Sequence, residues 1–167
     1  IEKACGSHDA ISCVGPLNVR EKRNLGIARA RAPIILFVDS DCEATPTLFS
    51  EHLNAYTGHE IGGVLGVTEF YGDDSWIWRA IERTQLLNTF SYARKMPDAP
   101  WGTCSNLSYR KSVLEEVGFF DTSFPFRLGG DDVDLGLRVT EAGYRIKCNP
   151  EAVVRHTRST WSSLSKV

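Results

Sequence analysis

Asp39 and Asp41 stand two residues apart where the apolar run Ile34–Val38 ends, with Ser40 between them. Successive side chains of an extended chain alternate, so the two carboxylates can face one cavity. Two negative charges so close repel unless a cation joins them. A hard divalent ion, Mg2+ or Mn2+, takes oxygen ligands and bridges readily to a diphosphate. The plain alternative is that one Asp caps a turn and the other is solvated. A second acidic group, Asp131, Asp132 and Asp134, follows Gly129 and Gly130 at the start of an amphipathic stretch. One acid there would suit a helix N-terminus through the macrodipole. Three exceed that need, and a carboxylate beside a metal-bound ligand can serve as a general base. His156 follows a short apolar strand and is a third candidate, although a lone histidine is more often a core or surface residue.

These groups must be placed by the elements around them. Asn18 with Glu21 has the form of a capping box and opens a helix that Pro33 ends by Ala32. Ile34–Val38 has the length and continuous apolarity of a strand covered on both faces. Thr45-Pro46 opens a second helix that closes at Gly58. Residues 62–70 read as a strand, and 75–94 as the longest helix. A strand over 105–110, a helix over 111–117 ended by Gly118, and a helix over 133–142 ended by Gly143 follow. Two short strands, 144–149 and 152–156, close the pattern. Alternating strands and helices predict an α/β fold: a mixed, mainly parallel, Rossmann-like sheet flanked by helices. In such sheets ligands sit beyond the carboxyl ends of the strands, where Asp39 and Asp41 lie.

The chain has 167 residues, enough for a single domain, with 42% apolar and 24% charged residues and a net charge of −2. That balance gives no basic field for nucleic acid. No apolar run reaches the length of roughly 18 residues that a membrane helix needs. Five cysteines without a C-x-x-C pair argue against a disulfide framework or a zinc site and for a reducing compartment.

Taken in order, "RNLGIARARAPIILFVDSD", "WGTCSNLSYRKSVLEEVGFFDTSF", "GGDDVDLGLRVTEAGYRI" and "AVVRH" resemble segments of the family-two glycosyltransferases with the GT-A nucleotide-sugar fold. The agreement runs over roughly residues 19 to 158. The resemblance implies a transferase that moves a sugar from a nucleotide-diphospho-sugar donor to an acceptor hydroxyl, with inversion and a metal, Mg2+ or Mn2+. It implies that Asp39, Asp41 and His156 hold the metal, with Asp41 nearest the ion, and that Asp132 is the catalytic base. Arg23 and Asn24 would lie on the helix beneath the nucleotide, Asp131 beside the donor, and Gly102 and Asn106 along the sugar and acceptor pocket. His156 should then return to the Asp41 side of the sheet, to within about 4–8 Å without an ion.

The implied acceptor is a glycan, a lipid-linked sugar or a small molecule. The implied location is cytoplasmic, with association at the inner face of the membrane allowed. The family also opens with a strand, and continues with a second one whose acid holds the nucleobase. Neither is found, and residues 1–17 read as the tail of that region, so the domain spanning 1–167 is expected to be partial. No Q-x-x-R-W follows the acidic group, which argues against a processive synthase. Two rivals stay open. A haloacid dehalogenase-like phosphohydrolase shares the D-x-D strand end, although Cys42-Glu43 stands where Gly-Thr is usual there. A non-catalytic nucleotide-sugar-binding relic would keep the fold alone.

Overall fold

The computed structural model describes residues 16–123 and 129–161. The expectation for the opening region, residues 1–15, lies outside them. Helix α1 (Val19–Arg29) begins at the capping box foreseen from sequence. The Asn18 side chain accepts from the Glu21 N–H at 3.0 Å, and Glu21 accepts from the Asn18 N–H at 2.7 Å. The helix ends three residues sooner than Pro33 alone would require, at an extended Ala30. Strand β1 (Ile34–Val38) follows, then the three-residue β2 (Cys42–Ala44). The sequence reading did not foresee β2. Helix α2 spans Leu48–Ala55, so Thr45 lies before it rather than capping it, and its hydroxyl donates to the Val153 carbonyl at 2.8 Å.

Strand β3 (Ile61–Tyr71) is the buried centre of the sheet. The single long helix expected over 75–94 is two pieces, α3 (Trp76–Arg83) and a 3-10 segment (Leu86–Arg94). They break at Gln85, whose φ of 59° puts it in the left-handed region and ends the α-helix. Next come β4 (Asp98–Ala99), β5 (Asn106–Arg110), α4 (Lys111–Val117) and α5 (Asp131–Glu141). The two closing strands foreseen are one long strand, β6 (Arg145–Thr157). Its pairing with β3 is irregular in the middle, where Pro150 has no N–H for the ladder.

The strand order is β1-β5-β3-β6-β2, with β4 also on β6. The mixed sheet flanked by helices is as foreseen, but its parallel share is smaller. Among the described residues β3 with β6 is the parallel pair, while β1–β5, β3–β5, β2–β6 and β4–β6 run antiparallel. The reason is β5, which lies antiparallel between β1 and β3. At the edge of the described sheet, β1 has only β5 beside it and is half-buried.

Alternation sorts the side chains onto two faces. Leu65, Leu107, Tyr109 and Ile146 meet Leu114, Leu135 and Val139 of α4 and α5, together with Ile27 of α1. On the other face Ala152 and Val154 pack with Leu48 of α2. Asn106 and Ser108 of β5 also turn toward α2, where His52 bonds both. Asn106 donates to the carbonyls of Val67 and Ala152, which fixes its amide oxygen as the acceptor for His52 Nε2–H. Burial disfavours the charged ring, and in the neutral form that it favours Nδ1 accepts from Ser108.

Candidate active site

The chain turns at Asp39–Asp41 and at once forms β2, whose partner is the end of β6. In that register Cys42 lies opposite His156, and on its other side His156 lies opposite Phe70 of β3. The short strand is thus what brings Asp41 to His156, with Asp41 Oδ1 3.3 Å from His156 Nε2, closer than the sequence alone led us to expect. The ring is buried, and its Nδ1 donates to the Thr157 carbonyl at 2.9 Å. A carbonyl can only accept, so Nδ1 carries a proton and the Nε2 atom faces Asp41. A backbone carbonyl behind the ring is the usual way a protein fixes a ligating histidine.

Two donors bound to one octahedral ion at about 2.1 Å, at right angles, would lie about 3.0 Å apart. The observed separation fits such a pair. Cys42 completes a group of three ligand atoms within 4.8 Å of one another. Its thiol is a poor partner for a hard cation, because burial, with Asp39 and Asp41 nearby, pushes it up to about 12. Asp39 lies outside that group and leans the other way, 4.0 Å from Arg23 Nη2. Partial burial holds its carboxyl above the ordinary value, Arg23 opposes this, and Asp132 and Asp41 add to it.

Helix α5 starts on Gly130 at φ 87°, just after Gly129 at φ 61°, conformations that side chains resist. This turn aims the first acids of α5 at α1. Arg20 and Arg23, one helical turn apart, receive them. Arg23 Nη1 donates to Asp131 Oδ2 at 2.8 Å and to Asp132 Oδ1 at 3.0 Å, and Arg20 reaches Asp131 Oδ1 at 3.4 Å. Asp132 Oδ2 also accepts the Cys104 N–H at 2.9 Å. Asp131 is buried, while Asp132 remains partly open. The Arg23 guanidinium lies 5.2 Å over the Phe120 ring.

Other candidates take structural places. Asp134 holds Arg138, whose fork donates to the carbonyls of Val117, Gly118 and Phe119 at the end of α4. Asn24 lies on α1 beside Arg23, but its amide bonds both the N–H and the carbonyl of Phe120. Asn106 is fully buried and held by His52, Val67 and Ala152, away from any ligand surface. Gly102 is needed for close packing, since a Cβ there would come within 2.5 Å of Leu65. The site thus brings together Asp41 with His156, and Arg23 with Asp39, Asp131 and Asp132. Sequence reasoning missed Arg20, Cys42 and the Cys104 N–H. The spacing of Arg20 and Arg23 on one helix face was a usable signal; the other two depend on sheet register.

Residues 17–118 match the family model described as glycosyl transferase family 2. The O-antigen biosynthesis protein RfbC of Myxococcus xanthus is 24% identical over 162 residues, covering 86% of this chain and 12% of that protein. The chain therefore spans about an eighth of that relative. Among solved structures, the mannosyltransferase PcManGT of Pyrobaculum calidifontis, in complex with GDP-Man and Mn2+, superposes with a TM-score of 0.55 at 16% identity, covering 80% of this chain and 34% of that one. GalNAc-T7 with UDP, GalNAc and Mn2+ gives a TM-score of 0.62 at 12% identity, covering 84% and 30%. These two likenesses establish a GT-A glycosyltransferase fold.

Proposed function

Since the chain belongs to glycosyl transferase family 2, we propose that it carries the metal and base elements of a transferase that moves a sugar from a nucleotide-diphospho-sugar to an acceptor hydroxyl, with inversion. The observation that carries this reading is the 3.3 Å approach of Asp41 Oδ1 to His156 Nε2 at the strand end where such folds bind ligands. Asp41 and His156 would hold Mg2+ or Mn2+, with Asp39 alongside. When bound, the ion supplies Lewis acidity that neutralises charge on the departing diphosphate.

The chain's own groups do the rest. Asp132 accepts two hydrogen bonds, from Arg23 and from the Cys104 N–H, which hold it aimed. A carboxylate has about four lone-pair sites, so an acceptor hydroxyl can still bond to it. Asp132 takes that proton as the hydroxyl oxygen attacks the anomeric carbon. The bond from that carbon to the diphosphate oxygen breaks, and its electron pair leaves with the nucleoside diphosphate. Attack and departure on opposite faces invert the configuration. Asp131 and Arg20 hold Arg23 in place, and Asn24, Gly102 and Asn106 hold the scaffold. Among the described residues no helix is long and apolar enough to cross a membrane; the location that goes with this reading is cytoplasmic, with association at the inner face of the membrane.

The test is a screen of UDP-, GDP-, CMP- and dTDP-sugars with Mn2+ by thermal shift, followed by proton NMR of the transfer product. A donor that stabilises the protein only with metal, and a product of inverted anomeric configuration, are expected. Retention of configuration, or donor binding unaffected by EDTA, would overturn the reading.

A further inference from the structure

Between β3, α3 and the 3-10 segment lies a cavity of about 200 Å³ that the roles above leave unused. Its apolar wall is made of Phe70, Trp78 and Phe90, and its polar rim includes Glu82, Gln85 and Asn88. Phe70 is the centre of the aromatic group, 4.9 Å from Trp78 and 5.1 Å from Phe90 between ring centroids. Trp78 is only 2% exposed, and its indole N–H has no hydrogen-bond partner among the described residues. A buried donor left without an acceptor is costly and rare in a native fold. Trp78 also lines the cavity, so a group seated there lies against this indole.

The rim gives a second sign. Gln85 has φ 59°, the single positive value outside glycine among the described residues. Backbone strain of this kind persists where surrounding structure imposes it, commonly at ligand sites. Here it carries Gln85 to the rim of the cavity beside Asn88.

The lining excludes several ligand classes. It contains Glu82 and, among the described residues, no basic side chain, so its lining offers no cation to a phosphate or carboxylate. Its rim is too polar for a lipid chain. The volume falls below the roughly 300–1,000 Å³ of pockets for whole drug-sized ligands, which suits a single ring. A neutral pyranose matches every feature. Its C–H face covers aromatic rings, and its hydroxyls exchange hydrogen bonds with the carboxylate and amides.

Two lining residues of the cavity also touch neighbours of the proposed site. Phe70 forms its wall, pairs with His156 across the sheet and lies 5.2 Å from that ring. Thr68, which also lines it, bonds the Ser105 hydroxyl at 3.0 Å, next to the Cys104 N–H that holds Asp132. We propose that this cavity seats a neutral sugar ring of the acceptor, with Phe70, Trp78 and Phe90 as its apolar wall and Glu82, Gln85 and Asn88 as its polar contacts. The assignment rests on the glycosyltransferase reading for the word acceptor, and on the cavity itself for the sugar.

The test uses the whole chain with 15N-labelled tryptophan. The Trp78 indole N–H signal is followed while the methyl glycosides of glucose, galactose, mannose and N-acetylglucosamine are added, with acyclic sorbitol as control. A parallel titration adds UDP or GDP with Mn2+. At least one glycoside should move the Trp78 signal saturably, and sorbitol should not. Gln85→Gly, which glycine accommodates at this φ, should weaken that glycoside about 3- to 10-fold. Nucleotide binding without any glycoside response would overturn the cavity proposal and leave the donor-site reading intact. A glycoside response without nucleotide binding would overturn the acceptor role and count against the glycosyltransferase reading itself.

Discussion

Arg23 Nη1 donates to Asp132 Oδ1 at 3.0 Å across 109 positions of sequence, tying the middle of α1 to the first turn of α5. The same nitrogen bonds Asp131 at 2.8 Å, and the neighbouring Nη2 lies 4.0 Å from Asp39. One guanidinium therefore positions the proposed base and stands beside the proposed metal site.

Asp132→Asn should lower kcat by about 10²–10⁴-fold, the usual worth of a positioned general base. Metal-dependent donor binding, read by thermal shift, should persist. Near-normal turnover in this variant would move the proton transfer to another group.

Arg23→Ala should destabilise the fold by about 1.5–3 kcal/mol, because it takes a charged hydrogen bond from the largely buried Asp131. Urea denaturation measures this. Arg23→Lys should restore only part of it, since an ammonium can meet the two acids that share Nη1 but loses the second nitrogen facing Asp39 and the flat stack on Phe120.

Removing the imidazole in His156→Ala should weaken Mn2+-dependent nucleotide binding at least about 10-fold. EDTA should abolish transfer by the wild type, and added Mn2+ should restore it. Titration calorimetry with and without Mn2+ separates loss of metal from loss of fold.

Asn106→Ala should cost stability rather than affinity. It leaves the Val67 and Ala152 carbonyls and the His52 Nε2–H without their partner, worth about 3 kcal/mol or more together. A stable variant with poor donor binding would instead return Asn106 to the ligand site.

Acid should expose His52. Burial pushes its pKa below the ordinary value, with the Asn106 bond a lesser, opposing effect. The unfolded chain then takes up the proton more readily. The contribution is fully present above the unfolded value of about 6.5, and is lost as pH falls below it toward the folded value. The melting temperature should drop as pH is lowered from about 7.5 to 5.5, and His52→Gln should flatten that slope.

Much of the scaffold could be read from local pattern. The capping box at Asn18, the apolar run Ile34–Val38 and the α4 segment closed by Gly118 each follow from short-range chemistry, and each appears where expected. The break at Gln85 could not be read, because a non-glycine residue in the left-handed region carries no turn signature. Strand β2 was equally hidden: Cys42–Ala44 has no alternation of its own and exists because β6 offers it a partner. The same limit applied to the site. Residue types pointed to Asp41, Asp132 and His156, but Cys42, the Cys104 N–H and the burial of Asn106 are products of register and packing.

The irregular stretch of β6 sets how the chain can tolerate changes in length. Cys148 pairs with Leu65 and Val153 with Val67, so residues 149–152 already bulge out of step with β3. An insertion or deletion around Pro150, short of the buried Ala152 whose carbonyl holds Asn106, alters a local excursion and leaves both flanking ladders in phase. Between Val153 and His156 no such slack exists. There β6 is paired on both sides, with β2 and with β3, and adding one residue would shift every later side chain to the opposite face. Arg155 would then stand where the imidazole does, facing Asp41 with a permanent cation. Homologous sequences should therefore vary in length around Pro150 and keep a fixed count from Val153 to His156.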